Sequence, residues 1–136
     1  MRSTGVHHVD LVVSSIEHSL PFYRELLAPL GWTEVEEVEG EQGETIWYLT
    51  GPGTSLGVRE KRSDANPVPY DRYGVGIHHL CFEADSRAAV DERADWLRER
   101  GADIESGPRE YWYMPGYYAV FFYDPDGLKL ELVHIP

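Results

Sequence analysis

Two stretches of the chain alternate between apolar and polar residues with the period of two that is typical of a half-buried β-strand. The apolar faces hold Val9, Leu11 and Val13 in the first stretch and Leu80, Phe82 and Ala84 in the second. The opposite faces carry His8 and Asp10 in the first stretch and His79, Cys81 and Glu83 in the second. We therefore expect two strands that each bury one face against a neighbouring element.

Each predicted strand is followed by an apolar stripe at helical spacing. The first helix is expected over residues 16–30, and Gly31 would end it. The second helix is expected after an N-cap at Asp85 or Ser86, and it would end at Gly101. The same order of strand and helix thus occurs twice along the chain.

Three further strand-like runs follow each helix. They cover residues 33–38, 44–50 and 54–62 in the first half, and residues 103–106, 117–124 and 128–135 in the second. Turn residues separate the last two runs in both halves. The chain is therefore predicted to be a single α+β domain over residues 1–136, built from two tandem βαβββ modules. The modules cover about 5–62 and 75–136, with a linker rich in Pro, Asp and Asn over about 63–74.

The two modules share a short motif at the start of their first strands. The sequence GVHHV around His8 returns as GIHHL around His79, an offset of 71 residues. Such a repeat indicates two copies of one supersecondary unit. It places His8 and His79 on equivalent polar faces, which favours a sheet curved around a cavity over a second apolar core. His7 and His78 have the opposite parity and are interpreted as structural residues or as partners of a ligand.

Composition and charge narrow the class of partner. The 136 residues are 42% hydrophobic and 26% charged, as in ordinary globular domains. The formal net charge of −12 would repel phosphate backbones, so nucleic acid is not expected as a partner. No apolar run reaches the ~20 residues of a membrane span, and a single cysteine cannot form an intrachain disulfide. We expect a cytoplasmic protein that binds a small molecule.

A carboxylate in the last strand could complete a metal site with the two histidines. The leucines at positions 128, 130 and 132 should face the helices, so the residue after each leucine should lie on the polar face. These residues are Lys129, Glu131 and Val133. A carboxylate in the middle of a strand needs a partner. Glu131 is therefore the expected partner of His8 and His79.

These residues resemble the metal-ligand positions of the vicinal oxygen chelate superfamily. The resemblance rests on His8 in GVHHVDLVVSS, His79 in GIHHLCFEAD and Glu131 in DPDGLKLELV, and it extends over nearly the whole chain. The superfamily includes glyoxalase I, extradiol dioxygenases, fosfomycin-resistance proteins, methylmalonyl-CoA epimerase and bleomycin-resistance proteins. The resemblance implies mixed sheets that curl into a cup with helices on the outside. It also implies one divalent metal ion (Fe, Mn, Ni or Zn) and a homodimer.

One position departs from the glyoxalase I pattern. Near the end of the modules the repeat has an offset of 74 residues, which sets Gly57 opposite Glu131. Glyoxalase I enzymes typically carry a fourth ligand, Glu or Gln, at that place, and glycine has no side chain to offer. The chain therefore resembles extradiol dioxygenases and fosfomycin-resistance proteins more than glyoxalase I. Two histidines and one carboxylate leave positions open for a substrate that binds through two oxygens.

Four charged residues are further candidates for contact with a substrate. Glu83 and Asp10 share the polar faces of the histidine strands, and either could be a general base or a hydrogen-bonded rim carboxylate. Arg59 has the parity of a residue on the polar face. Lys129 would either bind an anionic substrate or extend its amine into solvent.

The most aromatic segment, EYWYMPGYY, lies at residues 110–118. Its Pro and Gly predict a loop before a strand. Such a loop could cover the cavity and stack on a planar substrate through Tyr113 and Tyr118. It could equally form a dimer contact or pack against other apolar residues of the chain.

The favoured interpretation is a metal-dependent enzyme that acts on a small oxygen-bearing substrate, with no reaction assigned. Glu131 would take part in catalysis as a ligand and Glu83 as a base. The alternative is a metal-free protein of the bleomycin-resistance type that sequesters a drug or another small molecule. An acidic surface and an aromatic loop would suit a cationic, planar ligand, whereas a complete set of metal ligands counts against this alternative.

Overall fold

The predicted pair of βαβββ modules is confirmed. The computed structural model describes residues 1–136, which divide into two units, Met1–Asn66 and Pro67–Pro136. Unit one contains β1 (His8–Val13), α1 (Ile16–Leu27), β2 (Glu34–Glu39), β3 (Thr45–Gly51) and β4 (Thr54–Glu60). Unit two contains β5 (Leu80–Glu83), α2 (Arg87–Arg100), β6 (Ile104–Glu110), β7 (Tyr118–Tyr123) and β8 (Lys129–His134). The fold class is α+β.

The sheets of the two units have the same topology. The strand order is β1-β4-β3-β2 in unit one and β5-β8-β7-β6 in unit two. In each sheet the first strand pairs in parallel with the last, and the other pairs are antiparallel. The first strand of each module therefore lies directly beside the last, which brings its motif next to the strand that ends the module.

Strand register shows which residues of the two units correspond. In unit one Asp10 pairs with Gly57, and in unit two Cys81 pairs with Glu131. Asp10 and Cys81 each lie two residues after the second histidine of their motif. Gly57 is therefore the counterpart of Glu131, as the offset of the repeat predicts.

The helices begin at serine N-caps. The Oγ atom of Ser15 accepts from the backbone N–H of His18 at 3.4 Å, and that of Ser86 accepts from Ala89 at 3.1 Å. Ser86, rather than Asp85, therefore caps α2. Gly101 follows α2 with a φ of +76°, a left-handed conformation that glycine adopts without strain.

The helices cover one face of each sheet, as the apolar stripes predict. Helix α1 packs on β4, and α2 packs on β6, β7 and β8. In unit one this core contains Leu11, Val13, Leu20, Tyr23, Leu26, Leu27, Leu49, Leu56 and Val58. In unit two it contains Phe82, Ala84, Val90, Ala94, Leu97, Val120, Phe122, Leu130 and Leu132. These residues fix each sheet so that the histidine motifs lie on the opposite face.

The second face of the unit-two sheet is less polar than predicted. It carries a small apolar cluster of Tyr111, Ala119, Phe121 and Val133, all at least 94% buried, with Tyr117 and Ile135 packed against it. The prediction missed this cluster because the run YYAVFFY at residues 117–123 is apolar throughout and shows no alternation. Part of the face that carries Glu131 is thus a packed surface.

Strand β6 is longer than the predicted run of 103–106. It extends to Glu110, although Gly107 and Pro108 interrupt it, and its pairing with β7 shifts register on either side of Ser106. A proline cannot donate to a strand ladder, but β6 is the edge strand of its sheet and has a free side. None of the helices has the length and hydrophobicity to cross a membrane.

Candidate metal centre

Glu131 is a buried carboxylate in the middle of a strand. It lies on β8, and its side chain is only 2% exposed. One carboxylate oxygen, Oε2, lies 3.1 Å from Nε2 of His79, and the other, Oε1, accepts a hydrogen bond from the Tyr117 hydroxyl. A carboxylate removed from water costs free energy unless charge or hydrogen bonds compensate for it.

His79 stands immediately before β5, where the motif predicts it. Its side chain is 34% exposed, and its Nδ1 atom lies 2.8 Å from Nδ1 of His78. That contact occupies Nδ1 and leaves Nε2 directed at Glu131. Burial, followed by repulsion from His79, lowers the pKa of His78, which favours its neutral form.

The His79–Glu131 pair fits two neighbouring ligands of one metal ion. Bonds of about 2.1 Å to nitrogen and oxygen, set at right angles, would place the two ligand atoms about 3.0 Å apart. The observed distance between Nε2 and Oε2 is 3.1 Å. Nitrogen and carboxylate oxygen donors suit Mn, Fe, Ni and Zn. No group of three or more His, Cys, Asp or Glu side chains is placed to hold a metal ion, so the pair is incomplete by itself.

Two groups beside Glu131 are held in their protonated forms. Burial, reinforced by the hydrogen bond to Glu131, raises the pKa of the Tyr117 hydroxyl. Cys81 is exposed as a residue, yet desolvation of its sulfur and the charge of Glu131 raise the pKa of its thiol. Tyr117 therefore donates to the carboxylate, and Cys81 is not activated as a thiolate nucleophile.

His8 in unit one has surroundings like those of His79. Its Nδ1 atom lies 2.8 Å from Nδ1 of His7, the same distance as in the second motif. Its ring meets that of Tyr48 edge-on, with ring centroids 5.7 Å apart. Tyr48 pairs with Gly57 as Phe121 pairs with Glu131, and Phe121 makes the corresponding contact with His79 at 6.2 Å. The repeat therefore extends to the packing of the histidine rings.

A hydrogen-bonded network occupies the place of a fourth ligand in unit one. Asp10 forms a salt bridge with Arg59 and accepts a hydrogen bond from the Tyr48 hydroxyl at 3.2 Å. A Cβ atom at Gly57 would collide with Asp10 and would lie 2.6 Å from the Tyr48 ring. The missing side chain at Gly57 thus makes room for this network. Burial and the bond to Asp10 raise the pKa of Tyr48.

Two more of the predicted residues lie on β5, the strand that follows His79, and on β8, the strand of Glu131. Glu83 lies on β5, four residues after His79, and it is exposed. Lys129 lies on β8, two residues before Glu131, and its amine contacts Glu105 at 2.7 Å and the face of the Phe121 ring at 4.8 Å. The amine of Lys129 is therefore already bound to residues of its own unit, whereas the side chain of Glu83 is exposed to solvent.

The aromatic segment, residues 110–118, divides between anchored and exposed side chains. Tyr111 is buried, whereas Trp112 is 81% exposed. Tyr113 contacts the ring of Tyr117 at 5.2 Å, which links the segment to Glu131. Tyr118 does not join the site, because its hydroxyl donates to Asp91 on α2, on the opposite face of the sheet. Sequence reasoning missed Tyr117 as the residue in contact with Glu131, because no alternation marks the faces of this run.

A family model described as Glyoxalase/Bleomycin resistance protein/Dioxygenase superfamily matches residues 5–132. The chain belongs to this superfamily. The predicted membership of the vicinal oxygen chelate group is thereby confirmed. Members of the superfamily generally bind a divalent metal ion, act on small molecules and usually form dimers.

Individual relatives cover nearly the whole chain. The protein YqjT of Bacillus subtilis is 33% identical over 131 residues, which are 94% of this chain and 97% of that protein. The metallothiol transferase FosB of Staphylococcus epidermidis is 26% identical over 136 residues, which are 97% of this chain and 82% of FosB. A crystal structure of a glyoxylase/bleomycin resistance protein/dioxygenase domain from Frankia sp. EAN1pec matches with a TM-score of 0.81 and 26% identity. That match covers 99% of this chain and 100% of the Frankia chain.

Proposed function

We propose that the chain is a metal-dependent enzyme that acts on a small oxygen-bearing substrate, with one divalent ion held by His8, His79 and Glu131. His8 would come from the same chain or from a partner subunit. The observation that carries the proposal is the buried Glu131 carboxylate, which has the imidazole of His79 and the hydroxyl of Tyr117 as its partners.

The charges near Glu131 support a cation at this place. Glu131 forms an ion pair with His79, which carries charge only when it is protonated. Lys129, the lysine on the same strand, pairs with Glu105 instead. A buried carboxylate without a permanent cation is costly, and a divalent ion held by Glu131 and His79 would supply that charge.

The number of ligands supports an open centre. Gly57 has no side chain to ligate a metal, and the nearby Asp10 is committed to Arg59 and Tyr48. Two histidines and one carboxylate therefore leave positions for a substrate that binds through two oxygens. FosB, a metallothiol transferase among the relatives, is in keeping with chemistry on a metal, whereas the missing fourth ligand argues against glyoxalase I activity.

The ion would supply Lewis acidity to substrate oxygens as they gain negative charge. The residues of the chain would provide the remaining parts of the site. Glu83 is the exposed carboxylate on the histidine strand, which suits it to accept a proton from the substrate. Tyr113 would present its half-exposed ring, 54% exposed, to an apolar part of the substrate.

Metal affinity tests this proposal without knowledge of the substrate. Isothermal titration of the purified chain with Mn²⁺, Ni²⁺, Zn²⁺ and Fe²⁺ should show one site for at least one of these ions. Glu131→Gln or His79→Ala should lower the affinity for that ion by at least about 100-fold. Removing a metal ligand should reduce the affinity more than removing a residue that only hydrogen-bonds to a ligand. Glu99→Gln removes the same charge from the exposed surface of α2 and should leave the affinity unchanged.

Equal affinity in the wild-type chain and in Glu131→Gln would contradict the proposal. A second outcome, binding of cationic planar ligands that a chelator does not disturb and that leads to no turnover, would favour a sequestering protein instead. The exposed aromatic side chains at Trp112 and Tyr113 are the feature that such a protein would use.

A further inference from the structure

We infer that Tyr117 is the positioning residue of the candidate metal centre. Its hydroxyl holds one oxygen of Glu131 so that the other oxygen stays beside His79. This inference rests on the proposed function, because it assigns a role to a residue that acts through a proposed ligand. Tyr117 lies within the aromatic segment, but the sequence analysis selects Tyr113 and Tyr118 from that segment instead.

The two oxygens of Glu131 have different partners. Oε1 accepts from the Tyr117 hydroxyl, and Oε2 lies 3.1 Å from Nε2 of His79. The last torsion of a glutamate side chain is broad and has no strong intrinsic preference. A hydrogen bond to one oxygen therefore selects the orientation of the carboxylate, and Tyr117 leaves Oε2 free for a shared ion.

The position of the Tyr117 hydroxyl is itself fixed by the chain. The backbone N–H of Tyr117 donates to the carbonyl of Met114 at 3.2 Å, and its carbonyl accepts from the N–H of Tyr111 at 2.9 Å. Its ring meets that of Tyr113 edge-on at 5.2 Å. Tyr111 is anchored in turn, since its hydroxyl lies 2.7 Å from Oγ of Ser106 on β6.

Tyr117 thus hydrogen-bonds to the proposed metal ligand Glu131 without being a ligand itself. Groups that hydrogen-bond to ligating carboxylates fix their orientation, and their loss typically lowers metal affinity by about 10–100-fold. A hydroxyl with a purely structural role would affect folding but would have no selective effect on the metal. The two roles therefore predict different results for a variant that lacks only this oxygen.

The experiment compares Tyr117→Phe with Tyr123→Phe in the full chain, with Co²⁺ as the probe. Tyr123 lies on the same sheet, and its hydroxyl donates to the Glu105 carboxylate at 3.0 Å, so both variants remove a hydroxyl from a carboxylate. Isothermal titration gives the affinity, and the visible absorption of bound Co²⁺ reports its coordination. We expect Tyr117→Phe to weaken binding by about 10–100-fold and to change the spectrum. Tyr123→Phe should match the wild type in both measurements.

A double-mutant cycle with Glu131→Asp separates positioning from folding. The shorter carboxylate withdraws from the hydroxyl, so adding Tyr117→Phe to Glu131→Asp should change Co²⁺ affinity less than twofold. The inference would be overturned if Tyr117→Phe lowered Co²⁺ affinity as much in the Glu131→Asp background as in the wild type. It would also be overturned if Tyr117→Phe bound Co²⁺ as tightly as the wild type, or if this variant failed to fold.

If the wild type binds Co²⁺ no better than His79→Ala, the proposed function and the inference fail together. If Glu131→Asp and His79→Ala lose affinity and Tyr117→Phe does not, the inference alone fails.

Discussion

At the scale of single residues, Gly57 and Glu131 show how the two copies of the module have diverged. They occupy corresponding positions, opposite Asp10 and opposite Cys81. Glu131 is buried and directed at His79, whereas the space above Gly57 is filled by the pair of Asp10 and Tyr48. Unit two thus has a carboxylate that suits a metal ion. At the corresponding place, unit one has a network in which Asp10 bonds to Arg59 and Tyr48.

Gly57→Ala should destabilise the chain by about 1–3 kcal/mol, because the added Cβ would collide with Asp10 and Tyr48 in an already filled space. Urea unfolding followed by circular dichroism measures this loss. Gly74→Ala is the matched control, since its Cβ would come no closer than 3.4 Å to any neighbour and should cost little. Equal stability of the two variants would show that the network does not fill the space at Gly57.

The sequence was informative about residues wherever polar and apolar side chains alternate. Parity alone placed Glu131 on the face of His79, and the repeat identified Gly57 as its counterpart. Neither signal could assign Tyr117 or Tyr118, because the run that contains them is apolar on both faces. In the folded sheet Tyr117, just before β7, donates to Glu131, whereas Tyr118, the first residue of β7, donates to Asp91 on α2. Which face each residue takes depends on how the strand pairs with its neighbours.

At the scale of elements, helices were predicted more closely than the edge strand. The Ser86 cap and Gly101 are local signals that act through hydrogen bonds and backbone conformation within one turn. The length of β6 depends on its partner β7, which supports it past Pro108 despite the lost donor. The local sequence of β6 does not show that β7 pairs with it beyond Pro108. The predicted strand therefore ended at residue 106, four residues too early.

Two neighbouring residues of the aromatic segment, Tyr111 and Trp112, should contribute very differently to the free energy of unfolding. Tyr111→Ala should cost about 3 kcal/mol or more, because it empties a buried site in the cluster with Phe121 and Val133 and removes the bond to Ser106. Trp112→Ala should change stability by less than about 0.5 kcal/mol, because the side chain is 81% exposed. Thermal unfolding of both variants measures the difference. A large loss for Trp112→Ala would mean that this side chain is covered in solution.

At the scale of the whole molecule, we predict a homodimer. Superfamily members usually form dimers, and this chain exposes several large apolar side chains that association would remove from water. They include Val12, Tyr73, Val75, Trp112, Tyr113 and Met114. Sedimentation equilibrium should give about twice the chain mass of 15.5 kDa. A mass of one chain at micromolar concentration would contradict the prediction.

The same measurement on Trp112→Asp distinguishes the two roles of the aromatic segment. If the segment forms the dimer contact, a charge at this exposed position should return the mass to that of one chain. If the segment covers a substrate, the variant should remain a dimer.

We propose above that the buried carboxylate of Glu131 and the imidazole of His79 bind one divalent ion. Anomalous X-ray scattering from crystals of the wild-type chain soaked in Co²⁺ or Zn²⁺ would locate that ion. We expect a single strong anomalous peak at bonding distance, about 2.0–2.2 Å, from both Oε2 of Glu131 and Nε2 of His79. A nitrogen of His8, from the same chain or from a partner subunit, should be the third protein ligand. A fully occupied ion elsewhere on the chain, with Glu131 and His79 still in direct contact at 3.1 Å, would rule out this metal centre.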